Sequence, residues 1–241
     1  MLYHKSVCLG QNFYCYLWMG RGNNCNASLL CNVLRGERPH VLVDPGHIRN
    51  ELGEPCFDSL AEAMEKDGFK IEDVGLIIGT HCHPDHFEAS EPVVERSGAL
   101  VALSREEDEF YRGAGGRFYG TFGGRAPQVK SFFFLQEGEL NLGGGNGVGA
   151  EVLLTPGHTP GSICLYLKRE KILISGDVVF FGGIGRTDFP GGSSSLLRKS
   201  IDRLSGLDVE YLVPGHNTQG GAVIAGRDRV AQNFQMVKMF A

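Results

Sequence analysis

The chain has 241 residues, 42% of them apolar, and a formal net charge of −5. That is enough material for a large core, and the charge has the wrong sign for a nucleic-acid binder, which usually presents a basic face. No run approaches the roughly 18 apolar residues of a membrane helix, and the seven cysteines are odd in number with neither a C-x-x-C pair nor a preceding signal peptide, so a soluble cytoplasmic protein with reduced thiols is expected rather than a disulfide framework.

In chain order, residues 12–19, 27–35 and 40–46 read as strands, the last ending in the turn "DPG". Residues 58–69 show helical amphipathicity. Asp58 or Ser59 is the expected cap, Leu60, Ala63 and Met64 the inward face, and Gly68 the stop. A buried strand at 74–80 follows, then helix 88–98, strand 99–104 and a charged helix at 105–113. Residues 113–126, "GAGGRFYGTFGGRA", lack a clear period and fit either a lid or a plain surface excursion. Four further strands are expected at 129–135, 149–157, 162–168 and 171–177. A helix at 192–207, a strand at 209–216 and a terminal helix at 223–240 complete the chain. Strands and helices alternate twice over, which predicts an α/β layered sandwich of two halves, with no composition shift to divide residues 1–241 into separate domains.

Five of the eight histidines stand at 81, 83, 86, 158 and 216, each just after a strand-like run, and Asp177 follows "ILISG" in the same way. Loops at strand ends are where α/β sheets build sites. In "HCHPDH" (81–86), extended backbone would turn His81 and His83 to one side and Cys82 to the other. If a helix starts at Pro84, Asp85 and His86 lie in its first turn and can face a second ion, although Asp85 could instead cap that helix. Given this composition, a chance H-x-H-x-D-H has a probability of roughly 4 in 10,000. Imidazoles and carboxylates without a thiolate suit zinc, iron or manganese. Two ions sharing a carboxylate sit about 3.5–4 Å apart, and Asp177 is the expected bridge. His4, His40 and His47 are read as structural or surface residues.

"THCHPDH", "TPGHTPGS", "SGD" and "PGH", in that order after "VLVDPG", resemble the metallo-β-lactamase superfamily over nearly the whole chain. The resemblance implies a four-layer αββα sandwich with metals at the sheet edge. It implies His81, His83 and His158 as ligands of one ion, Asp85, His86 and His216 as ligands of the other, Asp177 as bridge and Asp44 as support from behind. "GGIGRTDFPGGS" at 182–193 is similar to the glyoxalase II-type branch, whose members are mostly thioester hydrolases or glutathione-persulfide dioxygenases. The longer helical region that follows the last histidine in full glyoxalase II, and carries much of the glutathione site there, is expected to be absent after His216, which counts against a glutathione thioester as substrate.

The function implied is hydrolysis of a small thioester, ester or lactone, which could be glutathione-linked, by a hydroxide held on two divalent ions, zinc first. Asp85 would orient the hydroxide or take its proton. No G-x-S-x-G nucleophile is present. Candidate substrate contacts are Arg186 and Tyr119, with Arg117 and Arg125 beside them, although Arg186 and Asp188 could simply pair and hold a loop. The rival readings are a mononuclear iron dioxygenase using His81, His158 and Asp177, and a metal-binding protein without activity. An RNA-processing nuclease is disfavoured by the charge, and a flavodiiron carrier by His83 standing where a glutamate would be expected. The oligomeric state is open, a dimer included.

Overall fold

The computed structural model describes residues 3–143 and 149–240, and the elements named below are those among the described residues. Strands β1 (His4–Cys8), β2 (Phe13–Trp18), β3 (Ala27–Leu30) and β4 (His40–Val43) form an antiparallel meander. Helix α1 (Cys56–Lys66) crosses over to β5 (Val74–Ile78), which lies parallel to β4. Helices α2 (Pro84–Phe87) and α3 (Ser90–Ser97) lead to β6 (Leu100–Ser104), and α4 (Arg105–Phe110) and α5 (Gly116–Phe118) lead to β7 (Phe133–Leu135). The seven strands stand in sequential order, parallel from β4 onward.

The second sheet holds β8 (Gly138–Asn141), β9 (Gly149–Leu154), β10 (Ile163–Leu167) and β11 (Ile172–Gly176). The chain then makes a small hairpin, β12 (Val179–Phe180) with β13 (Gly183–Ile184), and passes through α6 (Ser194–Leu204). It returns as β14 (Tyr211–Pro214) and β15 (Ile224–Ala225) and closes with α7 (Arg227–Val237). The spatial order is β15-β14-β11-β10-β9-β8, with β11 and β14 parallel.

Successive residues of a strand face opposite sides of its sheet, and both sides here are covered. Val41, Val43, Leu76 and Ile78 of the first sheet meet Leu165, Ile172, Ile174 and Val213 of the second. Their neighbours Leu42, Val74 and Ile77 turn outward under Leu60 and Met64 of α1 and Val93 of α3. Leu173 and Leu212 pack under Leu197 and Ile201 of α6 and Val230 and Phe234 of α7. The result is the expected αββα sandwich. Strands buried on both faces read as unbroken apolar runs, which is why "HVLV" and "VGLII" lack alternation. The two sheets are joined at one edge by Ile163 N–H donating to Thr80 O (2.9 Å) and Asn26 N–H to Gly215 O (2.7 Å).

Several boundaries differ from expectation. The edge strands β1 and β8 were not expected, because their polar residues and glycines carry little apolar signal. The strand expected at 27–35 stops at Leu30, before Asn32 adopts φ 57°. Helix α1 begins at Cys56 without a side-chain cap. Asp58 lies in its first turn, and buried Ser59 instead accepts from the Tyr3 and His4 backbone N–H groups. The terminal helix starts at Arg227, because Ile224 and Ala225 pair with β14. The glycine-rich stretch folds into consecutive helical turns through Phe122 rather than an irregular loop. No helix of the described residues is long and apolar enough to cross a membrane.

Ile77 is fully buried beneath the first helical layer. Ile77→Ala is expected to lower the unfolding free energy by about 2–5 kcal/mol, read as a lower denaturant midpoint with an unchanged m-value.

Candidate metal centre

Strand ends deliver the site. β5 runs into Thr80 and His81, and His83 precedes the short helix α2, whose first turn carries Asp85 and His86. His158 sits in the turn between β9 and β10, Asp177 follows β11 and His216 follows β14. Because β4 is parallel to β5 and β11 to β14, these ends meet at the edge where the sheets are joined. Cys82 faces the opposite way, into the apolar cluster beneath the helices. Asp85 does not cap α2. Its Oδ2 accepts from Asn23 Nδ2 (2.8 Å) and lies 3.1 Å from His216 Nε2.

Among the described residues three groups have ligand atoms within 4.8 Å of one another: His81, His83 and His158; Asp85, His86 and His216; and Asp44, His81 and His86. In the last, Asp44 is already bonded to Thr80 and His86, which leaves the first two as the clusters open to an ion. Asp177 stands between them. Its Oδ2 is 3.5 Å from both His158 Nε2 and His216 Nε2, and its Oδ1 is 3.1 Å from His86 Nε2. His83 Nδ1 is 2.8 Å from His158 Nε2, and His86 Nε2 is 3.2 Å from His216 Nε2. Four donors at about 2.1 Å around a tetrahedral ion are separated by about 3.4 Å, close to these spacings. Gly215 makes room for the convergence, since a Cβ there would collide with Asp177 Oδ1 and crowd His86 Cε1.

The outer ring nitrogens show where the protons are. His86 Nδ1 meets the Asp44 carboxylate at 2.9 Å, His158 Nδ1 the Arg186 carbonyl at 2.7 Å and His216 Nδ1 the Asn24 carbonyl at 3.1 Å. Those partners only accept, so each Nδ1 carries its hydrogen. His81 Nδ1 donates to Thr80 Oγ1 (3.0 Å), whose own proton goes to Asp44 Oδ2 (2.6 Å). In the neutral form each of these four rings therefore turns its Nε2 lone pair to the centre, the orientation that outer-shell acceptors impose on metal-bound imidazoles. His86 Nε2 and His216 Nε2 face one another at 3.2 Å, so a cation, either a proton or a metal ion, must lie between or on them. The buried atoms His81 Nε2, His83 Nε2 and Asp177 Oδ1 have no hydrogen-bond partner, a costly state in a folded protein. The residues fit divalent metal ions.

Electrostatics agree. Burial, with the neighbouring imidazoles, holds His81 well below the ordinary histidine range and His83 down at about 3, so both are neutral and ready to coordinate. Burial also opposes charge on His86 and His216, but the Asp177 carboxylate, with Asp44 on His86 and Asp85 on His216, outweighs it. His86 is raised well above the ordinary value and His216 to about 10. Burial works against ionised Asp85 and Asp177 as well, yet His216 and His86 hold both well below the usual carboxylate range. The Asp85, His86 and His216 cluster therefore demands positive charge.

A cavity of about 680 Å³ opens over this edge. Phe118, Phe180 and Phe189 form an apolar wall, and Asn23, Arg49 and Asn217 stand on the polar side. Arg186 pairs with Asp188 (2.9 and 2.6 Å) and lies over the Phe189 ring at 4.1 Å, so it holds its loop while its carbonyl orients His158. Tyr119 stands at the cavity, as expected of a candidate substrate contact. Its ring borders the cavity, but it is 1% exposed and its hydroxyl donates to Cys82 O (2.9 Å), so it braces the 81–86 turn. Arg117 lines a separate cleft and Arg125 pairs with Glu91. His4 and His40 are structural, bonded to Ser59 and to Asn32 N–H. His47 instead borders the cavity, with Nδ1 2.7 Å from Glu88 Oε2. The sequence analysis did not single out Asn23, Phe118 or Phe180, since no motif or spacing marks them.

The family model of the metallo-β-lactamase superfamily matches residues 20–216, and the chain belongs to that superfamily. It is 32% identical over 226 residues to a probable metallo-hydrolase of Methanocaldococcus jannaschii, covering 92% of this chain and 97% of that one. It is 35% identical over 205 residues to the hydroxyacylglutathione hydrolase GloC of Haemophilus influenzae, covering 82% and 88%. The solved structure of TTHA1623 in a di-iron-bound form superimposes with a TM-score of 0.66 at 30% identity, covering 86% of this chain and 91% of that one.

Asp44→Asn would set an amide N–H₂ against either Thr80 N–H or His86 Nδ1–H. In the second case His86 changes tautomer and presents a hydrogen to the centre. Metal affinity is expected to fall about 10–100-fold, measured by competition with a chromophoric chelator.

Proposed function

We propose that the chain is a thioester hydrolase of the glyoxalase II-like branch, acting on a small molecule with two divalent ions, zinc in the first place. The observation that carries the two-ion reading is the pair of complete clusters with Asp177 between them. Neutral imidazoles and carboxylates suit zinc, with iron and manganese compatible; the di-iron-bound relative keeps iron as the first competitor. The thioester reading is supported by the similarity to GloC and by "GGIGRTDFPGGS" at 182–193.

Bound divalent ions supply hydroxide at neutral pH by lowering the pKa of water to about 7, and they polarise the substrate carbonyl. The chain's own residues arrange the rest. Asp177 and Asp85 stay ionised, and Asn23 Nδ2 fixes one oxygen of Asp85. Asp85 is thereby set as an acceptor that orients the attacking hydroxyl. The phenylalanine wall excludes water from one side of the cavity and suits the apolar part of an acyl or thiol group. Arg186 is already paired with Asp188, and Arg49 donates to Gly53 O and lies 4.0 Å from Asp58. Both cavity arginines are engaged within the protein, which favours a small or weakly charged thiol over one read through its carboxylates.

A single-iron persulfide dioxygenase would need only His81, His158 and Asp177. It leaves the second cluster, whose Asp85, His86 and His216 ligand atoms lie within 4.8 Å of one another, without an ion.

Metal-reconstituted protein is to be assayed in parallel on a hydroxyacyl thioester, an acyl lactone, an aryl ester and a persulfide with oxygen consumption recorded. Turnover is expected on the thioester, and Asp85→Asn is expected to lower kcat about 10²-fold or more. Oxygen uptake on the persulfide without thioester turnover would overturn the reading.

A further inference from the structure

One buried carboxylate outside the metal clusters touches the turns that carry three of their histidines. "SREE" at 104–107 reads as a capping box, in which the fourth residue reaches back to the first residue's backbone N–H. Half of that motif forms: Ser104 Oγ accepts from Glu107 N–H (3.1 Å) and caps α4. The Glu107 carboxylate goes elsewhere. Its Oε1 accepts from the backbone N–H of Cys82 (2.8 Å), the residue between His81 and His83. Its Oε2 accepts from Thr159 Oγ1 (2.6 Å) and Gly161 N–H (3.0 Å), in the turn that carries His158.

Glu107 is fully buried and no cation pairs with it among the described residues. Burying a carboxylate without a counter-charge is unfavourable, and a helix cap could be made on the surface without that burial. Burial pushes its pKa up, against hydrogen bonds from Thr159, Cys82 and Gly161 that favour the ionised form. The surroundings are built for the contact. Ser104 Oγ donates to Gly161 O (2.7 Å), and a Cβ at Gly161 would collide with Glu107 N.

We propose that Glu107 is the positioning residue of the His81, His83 and His158 cluster: its carboxylate locks the 81–83 turn against the 158–161 turn at the spacing an ion requires. The assignment rests on the metal centre described above. The turns belong to different sheets, and beside them Ile163 N–H donates to Thr80 O. Glu107 adds a polar strut on the side of the turns where the Cys82 N–H and the Thr159 hydroxyl point to its carboxylate.

The test uses the full chain. Glu107→Gln keeps the shape but sets an N–H₂ against either Cys82 N–H or Gly161 N–H. Zinc affinities of both steps are measured by chelator competition, with His158→Ala identifying the step that belongs to this cluster, and the thermal midpoint of the metal-free protein is recorded beside them. Expected is a 10–100-fold weaker first-cluster step with the other step within threefold. A lower midpoint with both affinities unchanged, or an equal loss at both steps, overturns the proposal. Should Glu107→Gln fail to fold, Thr159→Val removes one donor and is expected to weaken the same step alone; unchanged affinity there overturns it equally. Absence of zinc binding by the unsubstituted protein would overturn the metal centre itself.

Discussion

The centre depends on protons being held on the outside of its histidine rings. Asp44 is the anchor of that arrangement. It follows β4 with φ 52°, a left-handed conformation that aspartate tolerates better than most residues. In that position its oxygens take Thr80 N–H, Thr80 Oγ1–H and His86 Nδ1–H together. Through Thr80 the same carboxylate sets the tautomer of His81. One buried aspartate therefore turns a lone pair inward in each cluster, and carbonyls of Asn24 and Arg186 do the same for His216 and His158.

The sandwich makes this convergence available at little local cost. Parallel strands end at a common edge, and each contributes a residue just past its last ladder bond. Apolar packing between the sheets fixes where those ends stand, so the ligand atoms are preorganised before any ion arrives. Five imidazoles and two carboxylates in a dry space would otherwise repel or stay unpaired, and the raised His86 and His216 show the demand for positive charge. Stability of the scaffold and demand for metal are two sides of the same packing.

What was legible in the sequence is what is set locally. "HCHPDH" shows its two half-sites because strand alternation and the first helical turn act within six residues. The central strands were legible because unbroken apolar runs need cover on both faces. What escaped depends on tertiary context. Edge strands β1 and β8 are paired on one side only and carry polar residues. Ile224 and Ala225 continue a helical pattern but are captured by β14. The bond from the Tyr119 hydroxyl to Cys82 O has no signal in the sequence. Glu107 matches a helix cap three residues after Ser104, and only the approach of a distant turn gives it other partners. Asn23 carries no spacing signal at all, yet it fixes Asp85 from 62 positions away.

The most direct test is the metal content of the purified chain and of Asp85→Ala, reconstituted with excess zinc, desalted and quantified by elemental analysis against protein concentration. Expected are two ions per unsubstituted chain and one per variant chain, because Asp85 belongs to one cluster only. A single ion per unsubstituted chain, unchanged by the substitution, would contradict the two-cluster centre.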